Sequence, residues 1–204
     1  MRSAKTVLWE VDTQADFMLP SGKLYVPGAE KLLPKLRKLT DAATQDRVFL
    51  VSHGCFHAED DPEFSQFPPH CVRGTTGAAF VPEALARKVF LVPNDPALSI
   101  PDDLSAFQQV LMEKQTFDIF ETRHVETVMK RVDPVAEFAV FGVVTEICVL
   151  CAVRGLLQRG RRVALIADAI ETLQLDNGQR AISEMQQLGA RLTTTGEVLA
   201  SLGR

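Results

Sequence analysis

The sequence lacks a long apolar run, a glycine-rich phosphate-binding motif and a secretion signal. No apolar stretch reaches the about 18 residues that a membrane-spanning helix needs, and residues 6–11 are too short and too soon charged for a signal peptide. Neither G-x-G-x-x-G after the first predicted strand nor G-x-x-x-x-G-K-[ST] occurs. Four cysteines without a secretion signal indicate thiols, metal ligands or catalysis rather than disulfides. We therefore expect a cytoplasmic protein with no membrane partner.

Neither sign of charge predominates in the 204 residues. The formal net charge is −4, with 46% hydrophobic and 24% charged residues, and nothing in this balance indicates a nucleic-acid partner. The length fits one ordinary domain spanning residues 1–204, long enough to bury a sizeable core.

Short β-branched or aliphatic runs alternate with longer helical patterns along the chain. The predicted strands are 6–11, 47–52, 109–113, 138–144, 162–167 and 191–194. The predicted helices are about 28–45, 122–132, 146–159, 177–189 and 196–202. This alternation predicts an α/β fold with an open, mostly parallel six-stranded sheet and helices on both faces.

The segment 53–108 interrupts this alternation. It is rich in Pro and His, has little periodicity, and contains too many aromatic residues for a disordered linker. Long connections of this kind are usually functional or disordered. We therefore interpret it as an ordered excursion built around a site.

Three chemically capable side chains follow predicted strands. Asp12 and Lys114 follow the first and third strands, and Cys148 lies where a helix begins after the fourth. Parallel strands bring these ends to one edge of a sheet, where α/β proteins bind ligands. A thiol at a helix N-terminus beside an ammonium is expected to have a lowered pKa. Asp12 would then exchange the proton, and the amides of Val144 and Cys148 would face an oxyanion.

Each of these residues also has an ordinary structural interpretation. A single cysteine in an apolar run is more often part of a core, an aspartate after a strand often caps a turn, and a lysine is usually on the surface.

Three segments match the motifs of one known family in the same order. Residues 11–17 read V-D-T-Q-A-D-F and match an opening D-x-Q-x-D-F. Residues 113–117, E-K-Q-T-F, surround the lysine, and residues 142–149, G-V-V-T-E-I-C-V, surround the cysteine. The family that these segments resemble is the nicotinamidase/isochorismatase-like cysteine hydrolases, over about residues 6–199.

The resemblance implies a reaction and a role for several residues. Cys148 attacks a carboxamide carbonyl, Asp12 protonates the departing ammonia, and water hydrolyses the thioester, with Lys114 as the third catalytic residue. The peptide bond Val143–Val144 is expected to be cis, beside the oxyanion. Phe17 and Phe67 are expected to line the substrate pocket. The resemblance also implies a small-molecule substrate, no organic cofactor, and association of identical chains.

A divalent metal (zinc, iron or manganese) is also implied, since nicotinamidases of this family bind one through an Asp-x-His pair and a later His. Residues 67–75, F-P-P-H-C-V-R-G-T, resemble the later segment and make His70 a ligand. Cys55 and His57 fall on the Asp-x-His pair, and Glu63 on an auxiliary position. Cysteine in place of aspartate leaves three alternatives open: a site of Cys55, His57 and His70; a shifted register that uses His53 or Asp61; or loss of the metal.

The leading hypothesis is hydrolysis of nicotinamide or a pyrazinamide-like amide to the acid and ammonia. An isochorismate-type vinyl ether or an N-carbamoyl compound is the alternative substrate. A nucleotide-binding or flavodoxin-like module is a further alternative, and the sequence lacks the phosphate-binding motif that such a module should have. A non-catalytic interaction protein on the same fold would be expected to lack a catalytic residue, and none is missing.

Overall fold

A seven-stranded parallel sheet forms the centre of the protein. The computed structural model describes residues 6–132 and 134–202. The strands are β1 (Thr6–Val11), β2 (Phe49–Cys55), β3 (Val89–Val92), β4 (Gln109–Lys114), β5 (Glu137–Gly142), β6 (Arg162–Ile170) and β7 (Arg191–Thr193). Their order is β3-β4-β2-β1-β5-β6-β7, and every adjacent pair is parallel. The predicted α/β fold class is confirmed.

The number of strands was underestimated by one. β3 lies inside the segment 53–108 and pairs only with β4, at one edge of the sheet. It has four residues, and Leu91 on it is 62% exposed. A short edge strand has neither the continuous apolar run nor the clean alternation of a buried strand, so its pattern resembles that of a loop.

Helices α2 to α6 lie where the sequence predicts helices, within a few residues at each end. The helices are α1 (Ala15–Met18), α2 (Leu33–Thr44), α3 (Val125–Arg131), α4 (Leu150–Gln158), α5 (Leu175–Gln187) and α6 (Thr195–Ser201). α1 has only four residues and was not predicted. The segment predicted as one helix from 146 begins with a π-helical turn, Thr145–Val149, before α4. Among the described residues, no helix combines the length and apolar character needed to cross a bilayer.

Each face of the sheet has its own hydrophobic cluster. Val7, Trp9 and Val11 of β1 belong to the cluster under α3, α4 and α5, whereas Leu8 belongs to the cluster under α1, α2 and α6. This assignment follows from the two-residue period of a strand. The sheet is therefore buried on both sides, and its carboxyl edge is where polar groups from different strands meet.

Candidate active site

Four strands end at the same point of the carboxyl edge. Asp12 directly follows β1, and its amide donates a hydrogen bond to the His53 carbonyl on β2 (2.9 Å). Cys55 and Lys114, the last residues of β2 and β4, are aligned in register. Beyond β5, the π-helical turn brings Cys148 back over this edge. π-Helical turns are frequent at functional sites.

The side chains of Asp12, Lys114 and Cys148 (the triad) are in contact. Lys114 Nζ is 3.0 Å from Asp12 Oδ2 and 3.7 Å from Cys148 Sγ. All three residues are buried, and the lysine is completely inaccessible to solvent. A buried ammonium is costly unless it is paired. The pairing therefore explains how the fold tolerates Lys114 at this position.

The charges of the buried site are carried by Asp12 and Lys114. Burial alone would raise the pKa of the Asp12 carboxyl, but the Lys114 ammonium and His53 overcome that effect and lower the pKa to about 2. Burial opposes the charge on Lys114, but the Asp12 carboxylate holds the lysine pKa well above its usual value. Asp12 is thus a carboxylate and Lys114 an ammonium at neutral pH.

The predicted lowering of the Cys148 pKa is wrong. Burial and the negative charge of Asp12 raise the pKa of the thiol well above its usual value, and Lys114 only partly opposes them. The helix-terminus argument assumed a partly solvated sulfur, whereas Cys148 is 7% exposed. In the resting site the thiol is therefore protonated, and the Asp12 carboxylate, which contacts the same Lys114 ammonium, is the base available to accept its proton.

The chain passes through a tight bend between β5 and Cys148. Gly142 has φ 117°, and a Cβ atom there would lie 2.0 Å from the carbonyl oxygen of Val11. The peptide bond Val143–Val144 is cis, where the resemblance places it. The proposed oxyanion role of the Val144 and Cys148 amides stays a prediction.

Cys55 lies beside the triad. Its Sγ is 3.0 Å from Lys114 Nζ and 4.0 Å from Asp12 Oδ2. Burial and Asp12 raise the pKa of the Cys55 thiol to about 12. The side chain of Gln14 orients this residue from the main chain, because its Oε1 accepts from the Cys55 amide (2.7 Å) and its Nε2 donates to the Cys55 carbonyl. The sulfur proposed as a metal ligand thus contacts the buried lysine of the triad.

A group of potential metal ligands lies in the segment after β2. The ligand atoms of His57, Glu63 and His70 all lie within 4.8 Å of one another. His57 Nδ1 contacts the carboxylate of Asp61 at 2.9 Å, and His70 Nδ1 donates to the Pro68 carbonyl at 2.9 Å. Both rings therefore present Nε2 to the group, a tautomer assigned from these bonds. Neither Cys55 nor His53 belongs to this group, and Asp61 orients His57 through its ring nitrogen.

These three residues fit a divalent metal. Among the described residues, the buried Nε2 of His57 has no hydrogen-bond partner, although buried polar atoms normally have one. Two imidazole nitrogens and a carboxylate are ligands that zinc and similar ions accept, and three protein ligands leave a coordination position open. The contact between Asp61 and His57 is the kind of outer interaction that orients a metal-bound imidazole.

The two phenylalanines predicted in the substrate pocket both approach His70. The ring of Phe17 lies edge-on to the His70 ring at 5.4 Å between centroids, and that of Phe67 at 6.5 Å. Phe67 also packs edge-on against Phe117 (5.9 Å). These rings place apolar surface next to the potential metal ligands, while their contact with substrate stays a prediction.

Two residues of the site were not assigned a role in it from the sequence. Gln14 belongs to the D-x-Q-x-D-F motif, and its place in that motif is the sequence feature that could have indicated a role in the site. His53 had been considered only as an alternative metal ligand. It lies fully buried, with Nδ1 3.7 Å from Asp12 Oδ1. The sequence does not indicate that His53 on β2 faces Asp12. That contact depends on the bend of the main chain at Asp12, which the sequence pattern does not predict.

Comparison with known proteins agrees with this fold. The family described as "Isochorismatase domain" matches residues 84–197, more than half of the chain. The chain therefore belongs to the isochorismatase domain family, as the motifs predicted.

One curated relative and two solved structures show how far the similarity extends. Isochorismatase domain-containing protein 2 of Danio rerio is 30% identical over 81 residues, 40% of this chain and 41% of that protein. The match thus spans about two fifths of the curated relative. Pyrazinamidase of Pyrococcus horikoshii, solved with zinc, is 25% identical with a TM-score of 0.74 over 93% of this chain and 99% of that one. An isochorismatase-like hydrolase from Alkaliphilus metalliredigens, 20% identical, has a TM-score of 0.77 over 98% and 100% of the two chains.

Proposed function

We propose that this protein is a cysteine hydrolase that converts a small aromatic carboxamide, such as nicotinamide or pyrazinamide, to the acid and ammonia. The observation that carries the proposal is the buried ammonium of Lys114, 3.0 Å from a carboxylate oxygen of Asp12 and 3.7 Å from the sulfur of Cys148. The similarity to a pyrazinamidase over nearly the whole chain supports the choice of amide chemistry.

The protonation states of the site define the first half of the reaction. As Cys148 Sγ attacks the carbonyl carbon, its proton passes to the Asp12 carboxylate. The Lys114 ammonium offsets negative charge on both partners during this transfer. Asp12 then gives the proton to the leaving nitrogen, the C–N bond breaks, and ammonia departs from a thioester on Cys148.

The second half returns the site to its starting state. Asp12, again a carboxylate, removes a proton from a water molecule as the water oxygen attacks the thioester carbonyl. The C–S bond breaks, the sulfur recovers a proton from Asp12, and the carboxylic acid is released. In this starting state Lys114 is an ammonium, since the Asp12 carboxylate holds its pKa well above its usual value.

We also propose that His57, Glu63 and His70 hold a divalent metal, which when bound would supply a Lewis acid beside the substrate. The orphaned Nε2 of His57 supports this assignment. Zinc in the similar pyrazinamidase of Pyrococcus horikoshii supports it independently. The single-domain organisation of the chain, its self-association and its cytoplasmic location remain predictions.

Ammonia release from a panel of amides tests the proposed function. The panel contains nicotinamide, pyrazinamide and an N-carbamoyl compound, so that the alternative substrate class is an explicit outcome. Cys148→Ala is expected to lower kcat by about three orders of magnitude or more, because the nucleophile is removed.

Cys151→Ala is the matched control, since Cys151 is a half-buried thiol one turn further along and is expected to keep wild-type activity. Amide hydrolysis that persists in Cys148→Ala would overturn the mechanism. A preparation that turns over none of the amides would overturn the proposed substrate class.

A further inference from the structure

His53 is placed next to the proposed proton acceptor by the pairing of β1 and β2. Val11 is aligned with His53 in the parallel register, and the amide of the next residue, Asp12, donates to the His53 carbonyl at 2.9 Å. Asp12 has φ 51°, a conformation that a residue other than glycine rarely adopts. The main chain of His53 therefore helps to fix the bend that turns Asp12 into the site.

The side chain of His53 faces the oxygen of Asp12 that Lys114 does not contact. His53 Nδ1 is 3.7 Å from Asp12 Oδ1, whereas Lys114 Nζ is 3.0 Å from Oδ2. Among the described residues, neither ring nitrogen of His53 has a hydrogen-bond partner. Asp12 Oδ1 is likewise buried without a partner. An unsatisfied buried donor or acceptor destabilises the folded state. A shift of less than 1 Å would satisfy one atom on each residue by bringing them within hydrogen-bonding distance.

The packing around His53 limits how its ring can turn. The ring is completely buried and lies edge-on to Trp9, with 5.8 Å between the centroids. Burial lowers the pKa of the His53 imidazole, although Asp12 opposes this change. A neutral ring has a single N–H to donate, and the carboxylate of Asp12 is the acceptor within reach of Nδ1.

We propose that His53 is a positioning residue that donates its Nδ1–H to Asp12 Oδ1 and so keeps Oδ2 against Lys114. With Lys114 alone, the carboxylate would be held through one oxygen and could rotate. With both contacts each oxygen has a fixed partner, and the carboxylate keeps one orientation from which to accept the thiol proton. The catalytic consequence rests on the proposed function, whereas the hydrogen bond itself does not.

Paired substitutions separate the hydrogen bond from the packing of the ring. His53→Phe keeps a ring of similar size without a donor, and His53→Asn keeps an N–H near the position of Nδ1. We expect kcat to fall about 10- to 100-fold in His53→Phe with little change in KM, because small displacements of a reacting group have effects of this size. His53→Asn is expected to recover most of the loss.

Thr40→Val is the matched control, since Thr40 on α2 is fully buried and its hydroxyl also lacks a partner among the described residues. It is expected to keep wild-type kcat, and thermal unfolding checks that each variant folds. Equal kcat in His53→Phe and His53→Asn would overturn the proposal, because packing alone would then explain the result.

A measurement without substrate tests the hydrogen bond directly. In proton NMR spectra a histidine N–H donated to a carboxylate gives a downfield resonance, which should disappear in His53→Asn and move upfield in Asp12→Asn. A resonance of His53 that is unaffected by Asp12→Asn would overturn the proposal. This arm gives an answer even if no amide in the panel is hydrolysed, so failure of the proposed function would be recognised separately.

Discussion

The thiol of Cys55 contacts the same Lys114 ammonium that faces the thiol of Cys148. Lys114 Nζ lies 3.0 Å from Cys55 Sγ and 3.7 Å from Cys148 Sγ. Because burial and Asp12 raise the pKa of Cys55 to about 12, this thiol is neutral and offers Lys114 no countercharge. Asp12 is then the carboxylate that balances the lysine, while the family motif has a second acidic residue at the position of Cys55.

Replacing Cys55 with aspartate tests what that departure does to metal binding. Cys55→Asp restores a negative charge at the position where the family motif has one, two residues before His57, and is expected to raise zinc affinity by about tenfold or more through that charge. Competition with a chromogenic chelator measures the change. Cys55→Ser is the control without charge, and equal zinc affinities in the two variants would contradict the expectation.

At the scale of single residues, the sequence predicted where the residues of the site lie better than it predicted their protonation states and contacts. Asp12, Lys114 and Cys148 were located because strand ends are visible in the hydrophobic pattern and meet at one edge. The state of the thiol was missed because its pKa depends on burial, which the pattern does not give. Cys55 contacts Lys114 and lies outside the group of potential metal ligands, His57, Glu63 and His70. Its contact depends on a side-chain direction that a motif alignment does not contain.

At the scale of elements, the site depends on how closely β5 approaches β1. Gly142 ends β5 with φ 117°, and the carbonyl oxygen of Val11 lies where a side chain would begin. This contact sets the direction in which the chain leaves the sheet towards the π-helical turn of Cys148. Glycine is needed at this position for two reasons: the positive φ, and the close approach of the β1 backbone, which leaves no room for a side chain.

Gly142→Ala is therefore expected to lower the free energy of unfolding by about 3 kcal/mol or more, since a methyl group must displace the backbone of β1. Urea denaturation measures the change. Gly160→Ala is the matched control, because Gly160 also has a positive φ (69°) with no heavy atom within 4 Å of an added Cβ. Its expected loss is only about 1 kcal/mol. Equal losses in the two variants would show that the close approach is not important.

The elements that the sequence missed are the short ones. β3 has four residues at the sheet edge and α1 has four residues between β1 and the following loop. Tertiary contacts define both, such as the pairing of Val89–Val92 with β4. A four-residue segment carries too little periodicity to be recognised, whereas the longer helices and central strands carry enough.

At the scale of the whole molecule, one apolar face of the sheet contains a polar network across three strands. Ser52 Oγ donates to Glu10 Oε2 (2.6 Å), and Gln109 Nε2 donates to Ser52 Oγ (2.7 Å). Gln109 also donates to the Ala84 carbonyl (2.9 Å), which ties β4 to the segment before β3. Burial raises the pKa of the Glu10 carboxyl to about 8, although the hydrogen bond from Ser52 opposes this.

Glu10 therefore makes the stability of the whole fold depend on pH. The folded protein holds a proton on Glu10 up to about pH 8, whereas the unfolded chain releases it near 4.5. Between these values the folded state binds more protons, so the free energy of unfolding falls as pH rises and levels off above about pH 8. One pKa unit corresponds to about 1.4 kcal/mol, which gives an upper limit of about 5 kcal/mol for the loss.

Glu10→Gln keeps the shape of the side chain and removes the titration. We expect the variant to lose less stability than the wild type between about pH 5 and about pH 9, measured by urea denaturation at each pH. Glu59→Gln, the same change at an exposed position, is expected to keep the wild-type slope, because water solvates that carboxylate in both states. If Glu10→Gln and the wild type lose stability in parallel, Glu10 is ionised in the folded protein and its charge must be balanced within the network of Ser52 and Gln109.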